Sequence, residues 1–571
     1  MPRNSHPASP TASSSKTLAI RPAIYRAQAP PPSAGLDDDD DSDDEVHESR
    51  VARLSRNSIC NARGLQNVGC LVMVYGALLA LFIGYPIATE LTHKTPIAFN
   101  LNINSTGQHA VAFGNRGLID EDTPIDKYQI PSYHDPNHVL QLVFSDEFET
   151  EGRSFYPGDD PYWEAVDLHY WQTGNLEWYD PAAITTRNGA LEINLTKVDD
   201  PSKNHNLDYT GGMLSTWNKF CFTGGLIVTN VMLPGINNVF GLWPAVWTLG
   251  NLGRAGYGAT LDGMWPYSYD ACDVGTLPNQ TLLNGPPAAL NTGPDNGVLS
   301  VLPGQKLSRC TCHGESHPGP TRSDGSYVGR SAPEIDIFEG QIGGPDGAHL
   351  GQVSQSAQWA PFNAGYIWDN SSANQQVVDW SLSHHNTYTG GIYQQPTSVV
   401  TTTNQACYQL IDGCYAVQGF EYVPGYDDAV WILLLNTEHF TLKQWSQYIT
   451  WITDDKVSWT LNAAGVGADP ATNISARPIS QEPMYIIANL GISQGFGFVD
   501  FAHLTFPATM RLDWIRVYQH PDKINIGCNP AEYPTSDYIN QHIQAYTDPL
   551  LTTWVGDYKQ PFPKNKLINQ C

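Results

Sequence analysis

Residues 334–340, EIDIFEG, set three carboxylates, Glu334, Asp336 and Glu339, within six residues of an apolar background. On a regular strand Glu334 and Asp336 share one face and Glu339 points away from it. A one-residue bulge after Asp336 returns Glu339 to the face of the other two. Two carboxylates then flank a site, with a third between them. Retaining glycoside hydrolysis needs such a pair, about 5–5.5 Å apart, one as nucleophile and one as acid/base. The middle acid can position the nucleophile and, by like charge, help to keep the acid/base protonated. An ordinary amphipathic strand with an acidic outer face would show the same residues.

Aromatic context sharpens the first reading. Residues 240–250, FGLWPAVWTLG, set Trp243 and Trp247 four residues apart around Pro244, and Trp265, Trp359, Trp451 and Trp459 add further indoles. Pyranose rings lay their apolar C–H faces on such indoles, although packing inside a β core would explain any single one. Cys310, Cys312 and His313, with His317 nearby, have some look of a metal site. Their spacing fits no structural zinc pattern, and disulfide use is the better reading. No metal or cofactor is expected, and no Gly-rich phosphate loop is present that would mark a sugar-nucleotide-dependent synthase.

The elements that must carry these residues read as β structure. The runs 140–144 (LQLVF), 190–195 (ALEINL), 225–231 (GLIVTNV), 457–461 (VSWTL) and 485–489 (YIIAN) have strand length and composition, with Gly, Pro, Asn and Asp between them. No long amphipathic helix or internal repeat is visible. Aromatic residues make up 11% and charged residues only 15% of the chain, whose Gly and Pro number 50 and 41. Many short strands with Gly-rich turns predict an all-β sandwich or jelly roll.

The chain divides into zones. Residues 1–67 are Ser/Pro/Ala-rich with an acidic block from Asp37 to Glu45, a composition that predicts a disordered tail. Residues 68–88 (VGCLVMVYGALLALFIGYPIA) are apolar throughout, and 21 residues at about 1.5 Å each just cross a hydrocarbon core of roughly 30 Å. They lie too far from the N-terminus for a cleavable signal peptide. Arg50, Arg53, Arg56 and Arg63 precede the span and Lys94 follows it, which predicts a cytosolic tail and a luminal or extracellular remainder. The expectation is a single-pass type II membrane protein of the secretory pathway, in the ER, Golgi or plasma membrane.

Residues 89–133 read as a luminal stalk, 134–525 as the folded body and 526–571 as a disulfide-linked extension. Sequons at Asn104, Asn194, Asn279, Asn370 and Asn473 all follow the span. So do eight cysteines, enough for four bridges in an oxidising compartment. The net charge is −27. The tail, with eight basic and nine acidic residues, contributes almost none of it. An acidic body repels phosphate backbones, so nucleic acid is not an expected partner.

EIDIFEG resembles the ExDxxE signature of glycoside hydrolase family 16 in its bulged, laminarinase-like form. Flanking segments match in order: LVFSDEFE at Leu142, NLEWYDP at Asn175, GGMLSTWNKFCFTGG at Gly211, GLWPAVWTLG at Gly241, PMYIIANLG at Pro483 and MRLDWIRVYQ at Met510. Residues 253–281 and 475–493 are similar to the fungal β-glucan synthesis-associated branch of the Kre6/Skn1 type, as are the acidic tail and the anchor. The resemblance covers about residues 130–530. It implies a concanavalin-like jelly-roll sandwich with a cleft across its concave sheet. It also implies Glu334 as nucleophile, Asp336 as its helper and Glu339 as acid/base. Asn175, Glu177, Trp243 and Trp247 would line the sugar subsites, with Trp265 and Trp359 as further substrate-binding indoles.

The implied activity is a retaining, membrane-anchored β-glucan glycosidase or transglycosylase in cell-wall β-1,6-glucan biosynthesis. The alternatives are a non-catalytic glucan-binding assembly factor and a plain β-1,3-glucanase. One departure stands out. Residues 430–447, VWILLLNTEHFTLKQWSQ, separate two segments that run almost directly together in the family. They correspond to 54 nucleotides whose ends suit a retained intron. If translated, they are expected to break or bulge a strand near the cleft.

Overall fold

A computed structural model describes residues 117–571 apart from 293–296, 345–347 and 426–446. The chain divides into two compact units, residues 1–93 and 94–571. The tail, the apolar span at 68–88 and Asn104 lie outside the described residues, as does nearly all of 430–447. Among the described residues no helix is long and apolar enough to cross a membrane.

The second unit is a two-sheet sandwich. The backing sheet contains β1 (Gln129–Pro131), β2 (Val139–Asp146), β6 (Ile184–Thr186), β7 (Leu191–Lys197), β9 (Gly225–Met232), β13 (Gln375–Val377), β16 (Ala416–Tyr422), β17 (Tyr448–Thr453), β18 (Lys456–Asn462) and β20 (Ala508–Gln519). The facing sheet contains β3 (Glu164–Ala165), β8 (Tyr209–Ser215), β10 (Leu242–Gly250), β11 (Glu334–Gly343), β12 (Leu350–Trp359), β14 (Ser383–His385), β15 (Gln395–Thr402) and β19 (Met484–Ile492). Its spatial order is β3-β8-β19-β10-β11-β12-β15-β14, antiparallel throughout. Short β4 (Leu168–His169) and β5 (Glu177–Tyr179) extend from β8, which β5 meets in parallel. Four of the five runs read from the sequence as strands fall within β2, β9, β18 and β19, and the run 190–195 overlaps β7 from Leu191 onward.

Period-two alternation decides what each face touches. Val246 of β10, Ile335 of β11, Val353 and Ala357 of β12 and Ile486, Ala488 and Leu490 of β19 point between the sheets. There they meet Phe144, Ile193, Ile227, Trp451 and Val517 of the backing sheet. Yet all nine residues of β19 are buried. A strand covered on both faces needs a second layer, and two segments supply it. Leu252, Ala255, Tyr257 and Met264, from the long β10–β11 connection, and Tyr538, Tyr546 and Trp554, near the C-terminus, pack over Trp247, Leu249, Tyr485 and Ile487.

Three disulfides, Cys221–Cys528, Cys272–Cys310 and Cys312–Cys571, involve these additions, and a fourth, Cys407–Cys414, closes a short loop between β15 and β16. Cys310 and Cys312 are thus bridged to other cysteines. His317 serves backbone groups, with Nε2 on the Leu307 carbonyl and Nδ1 accepting from Gly319.

Two boundaries differ from expectation. The body begins by residue 117, not 134. Leu118 joins the main core, β1 pairs with β2, and Ser132 and Tyr133 donate to Glu421 of β16. These anchors are isolated apolar and polar residues without a periodicity that sequence could display. The second concerns residues 430–447. Among the described residues no strand is broken beside them: β16 pairs with β17 in register and Val423 N–H donates to the Tyr448 carbonyl, although β17 is bulged against β18 between Trp451 and Ile452.

Candidate active site

Strand β11 lies between β10 and β12 and carries all three acids. Asp336 stands opposite Ser356 and Glu339 opposite Ser354, so Ile337 and Phe338 together face the single residue Gln355. This is the one-residue bulge expected from the spacing. Ile337 and Phe338 both enter the core between the sheets, and Glu339 therefore emerges on the face of Glu334 and Asp336. A bulge frees backbone groups that need partners. Trp451 of the backing sheet donates its indole N–H to the Asp336 carbonyl at 2.7 Å, and Trp451 itself stacks on Trp459 at 4.2 Å. Gly340 follows because Pro244 of β10 crowds it: a Cβ there would sit 2.6 Å from Pro244 Cγ.

Asp336 is buried, whereas Glu334 and Glu339 are partly open to solvent. Neutral donors surround them. Trp265 Nε1 donates to Glu334 at 2.6 Å and Trp243 Nε1 to Glu339 at 3.2 Å. Ser356 Oγ and Gln358 Nε2 both reach Asp336 Oδ2, at 2.7 and 3.0 Å. Burial is the main cause that pushes every carboxyl upward. Glu339 rises to about 8, with Asp336's charge adding to the effect. Asp336 rises only to about 6, because Ser356 and Gln358 favour its anion. Burial, then the charges of Asp336 and Glu339, hold Glu334 well above the usual carboxylate range. Glu334 and Asp336, two residues apart on one face of β11, each shift the other's affinity for a proton. The trio titrates as one coupled set. In the resting site near neutrality it holds protons on Glu339 and on the Glu334–Asp336 pair, with one negative charge between the latter two.

The sequence-predicted binding residues divide. Trp243 is half-buried and stacks on Phe496 at 4.2 Å, giving an aromatic surface beside Glu339. Trp265 is likewise half-buried and grips the nucleophile candidate. Trp247 lies on the acids' face but is buried beneath the second layer, and its N–H goes to Asn489 at 2.8 Å. Asn175 and Glu177 are buried as well. Asn175 donates to Glu177 at 2.6 Å, Ile492 N–H donates to Glu177 at 3.0 Å, and burial raises Glu177 to about 7. Tyr179 joins this group to Asn489 and hence to Trp247. These three residues form a braced floor rather than an open wall.

Trp359 is a correction. It points between the sheets and donates to Thr397, because it shares the parity of Val353 and Ala357. Composition marks an indole but not its face. Ser356, Gln358 and Phe496 were missed. The signal for the first two was the period-two polar series Ser354, Ser356, Gln358, three polar residues on one face of β12. Of the sequons, Asn279, Asn370 and Asn473 are exposed, whereas Asn194 lies within β7 and accepts from Thr509.

The chain is similar to known proteins. The family described as "Beta-glucan synthesis-associated protein SKN1/KRE6/Sbg1" matches residues 34–571. The chain is 42% identical over 457 residues to the beta-glucan synthesis-associated protein KRE6 of Candida albicans, an alignment covering 79% of this chain and 55% of that protein. With KRE6 of Saccharomyces cerevisiae it shares 38% over 543 residues, 94% of this chain and 68% of the relative. The chain thus spans little more than half to two thirds of these relatives' length. Among solved structures, the endo-beta-1,3-glucanase of Pyrococcus furiosus is 17% identical with a TM-score of 0.36, covering 70% of this chain and 98% of that one. The chain belongs to the SKN1/KRE6/Sbg1 family of beta-glucan synthesis-associated proteins.

Proposed function

We propose that the protein is a membrane-anchored retaining glycosidase or transglycosylase acting on β-glucan during assembly of the wall's β-1,6-glucan. The observation that carries this reading is the bulge of β11, which brings Glu334, Asp336 and Glu339 to one face with an indole N–H on each outer acid. Glu334 attacks the anomeric carbon while the Glu339 proton passes to the leaving oxygen. In the second half Glu339 takes a proton from water or from a sugar hydroxyl, which displaces Glu334. The high position of Glu339, about 8, suits an acid that must be protonated near neutrality. Trp243 stacked on Phe496 offers a platform for a sugar ring. The apolar stretch at 68–88 anchors the protein with this domain on the luminal or extracellular side, and Asn279, Asn370 and Asn473 are the sequons placed to carry glycans.

The test incubates the full-length chain in detergent with β-1,3- and β-1,6-gluco-oligosaccharides. Shorter and longer products are expected from the wild type and neither from Glu334→Gln or Glu339→Gln. In a strain lacking the native protein, neither variant should restore wall β-1,6-glucan. Full restoration by both would refute the enzymatic reading in favour of a glucan-binding assembly factor.

A further inference from the structure

Two neutral side chains of β12 converge on one oxygen atom. Ser356 stands opposite Asp336 and Gln358 opposite Glu334 in the β11–β12 register. Ser356 Oγ and Gln358 Nε2 lie 2.7 and 3.0 Å from Asp336 Oδ2, and both residues are buried. A carboxylate oxygen offers about two lone-pair sites, so these donors saturate Oδ2. Gln358 Oε1, by contrast, is buried with no partner among the described residues. Turning the amide over would set that oxygen against Asp336 and forfeit the donation. The side chain therefore keeps the donating orientation at the expense of an orphaned acceptor, a choice that needs a reason.

Resting on the retaining reading above, we propose that Ser356 and Gln358 are positioning residues that steer the proton shared by Asp336 and Glu334. With Oδ2 saturated, Asp336 can be protonated only at Oδ1, the oxygen left for Glu334. The two donors favour the Asp336 anion, so at rest the proton lies on Glu334; before attack it passes to Asp336 Oδ1 and leaves Glu334 as the attacking anion. As the Glu334–glycosyl bond forms and the bond to the leaving oxygen breaks, Glu339 gives up its proton, so the single negative charge moves from Glu334 to Glu339. In the second step Glu339 is reprotonated by the incoming hydroxyl, and Glu334 departs as a carboxylate onto the waiting Asp336 proton. Neither Ser nor Gln titrates, so the steering persists across the whole working pH range. Without it the proton can settle on Oδ2, out of reach of the nucleophile.

The test measures kcat and KM against pH for the full-length chain in detergent with a six-unit β-1,3-gluco-oligosaccharide. Gln358→Leu and Ser356→Ala should each lower kcat ~10–100-fold, as for loss of a hydrogen bond to a charged group, with KM changed less than about twofold. Their acidic limb should move upward by about one pH unit, because the Asp336 anion has lost a donor. Ser356→Thr, which keeps the hydroxyl, should leave the limb in place. A fall in kcat with an unmoved limb in both deletion variants would overturn the proposal. An infrared titration of the protonated carboxyl band, with Asp336 identified through Asp336→Asn, needs no turnover. Wild-type protein inactive on every β-glucan would defeat the glycosidase reading, yet an upward infrared midpoint in Gln358→Leu would still support proton steering. An unchanged midpoint would refute it.

Discussion

Buried carboxylates occur in two kinds of setting in this domain. Glu482 is 3% exposed and Glu147 6%, close to the 2% of Asp336. Glu482 is clasped by Arg330 through Nε and Nη2 at 2.8 and 2.7 Å, and Glu147 by Arg516 in the same forked manner at 2.8 and 2.6 Å. Glu334, Asp336 and Glu339 have only indoles, a hydroxyl and an amide as donors. A guanidinium is always charged and fixes its partner as an anion. Neutral donors leave the proton free to come and go. At Glu482 and Glu147 an arginine holds the charge in place, whereas the three acids of β11, like buried Glu177 and Glu421, have neutral donors only.

That contrast can be broken from either side. The largest effect should come from Arg330→Met, which strands Glu482 in a dry interior. About 3–5 kcal/mol of stability should be lost, read as a lower denaturation midpoint. Destabilisation under about 1 kcal/mol would mean that Glu482 does not depend on its arginine. Next comes Trp265→Phe, which keeps the ring but removes the donor to Glu334. A hydrogen bond to a charged group contributes about 1.5–3 kcal/mol, so kcat should fall ~10–100-fold with little change in thermal stability.

The smallest effect is a gain. Glu339 has a folded value of about 8 against an unfolded one of about 4.3, so the folded state binds its proton more tightly. Its contribution is fully present below about pH 4 and is lost as pH rises through about 8. Full linkage would give about 4–5 kcal/mol at pH 8, but Glu339 is partly open to solvent and screened, so Glu339→Gln should raise stability by about 1–2 kcal/mol at pH 8 and leave it unchanged at pH 4. Equal melting temperatures for variant and wild type across that range would show that Glu339 bears no such burden.

The acids were legible because their spacing violates strand alternation. Three carboxylates at 334, 336 and 339 cannot share a face without a bulge, so the irregularity could be read before any strand was placed. The five strand runs were legible because each is short, rich in aliphatic and aromatic residues, and set off by Gly, Pro, Asn and Asp. Parity was not legible for single indoles. Trp265 and Trp359 look alike in sequence, yet one hydrogen-bonds Glu334 and the other fills the core, because strand β12 fixes the side on which residue 359 falls. The second layer was hidden too. Tyr538, Tyr546 and Trp554 find Trp247 and Ile487 only through long-range packing that leaves no local pattern.

The junction of β16 and β17 has a consequence for how the chain tolerates changes in length. Val423 and Tyr448 are hydrogen-bonded neighbours, so the stretch between them joins two strands that are already paired. Lengthening such a loop adds a closure penalty that grows only with the logarithm of its size, about 0.6 kcal/mol per doubling. Excising 430–447 would leave residues 424–429 to make the turn, close to an ordinary hairpin length. Both transcripts, with and without those 54 nucleotides, would then encode the same two sheets and the same three acids.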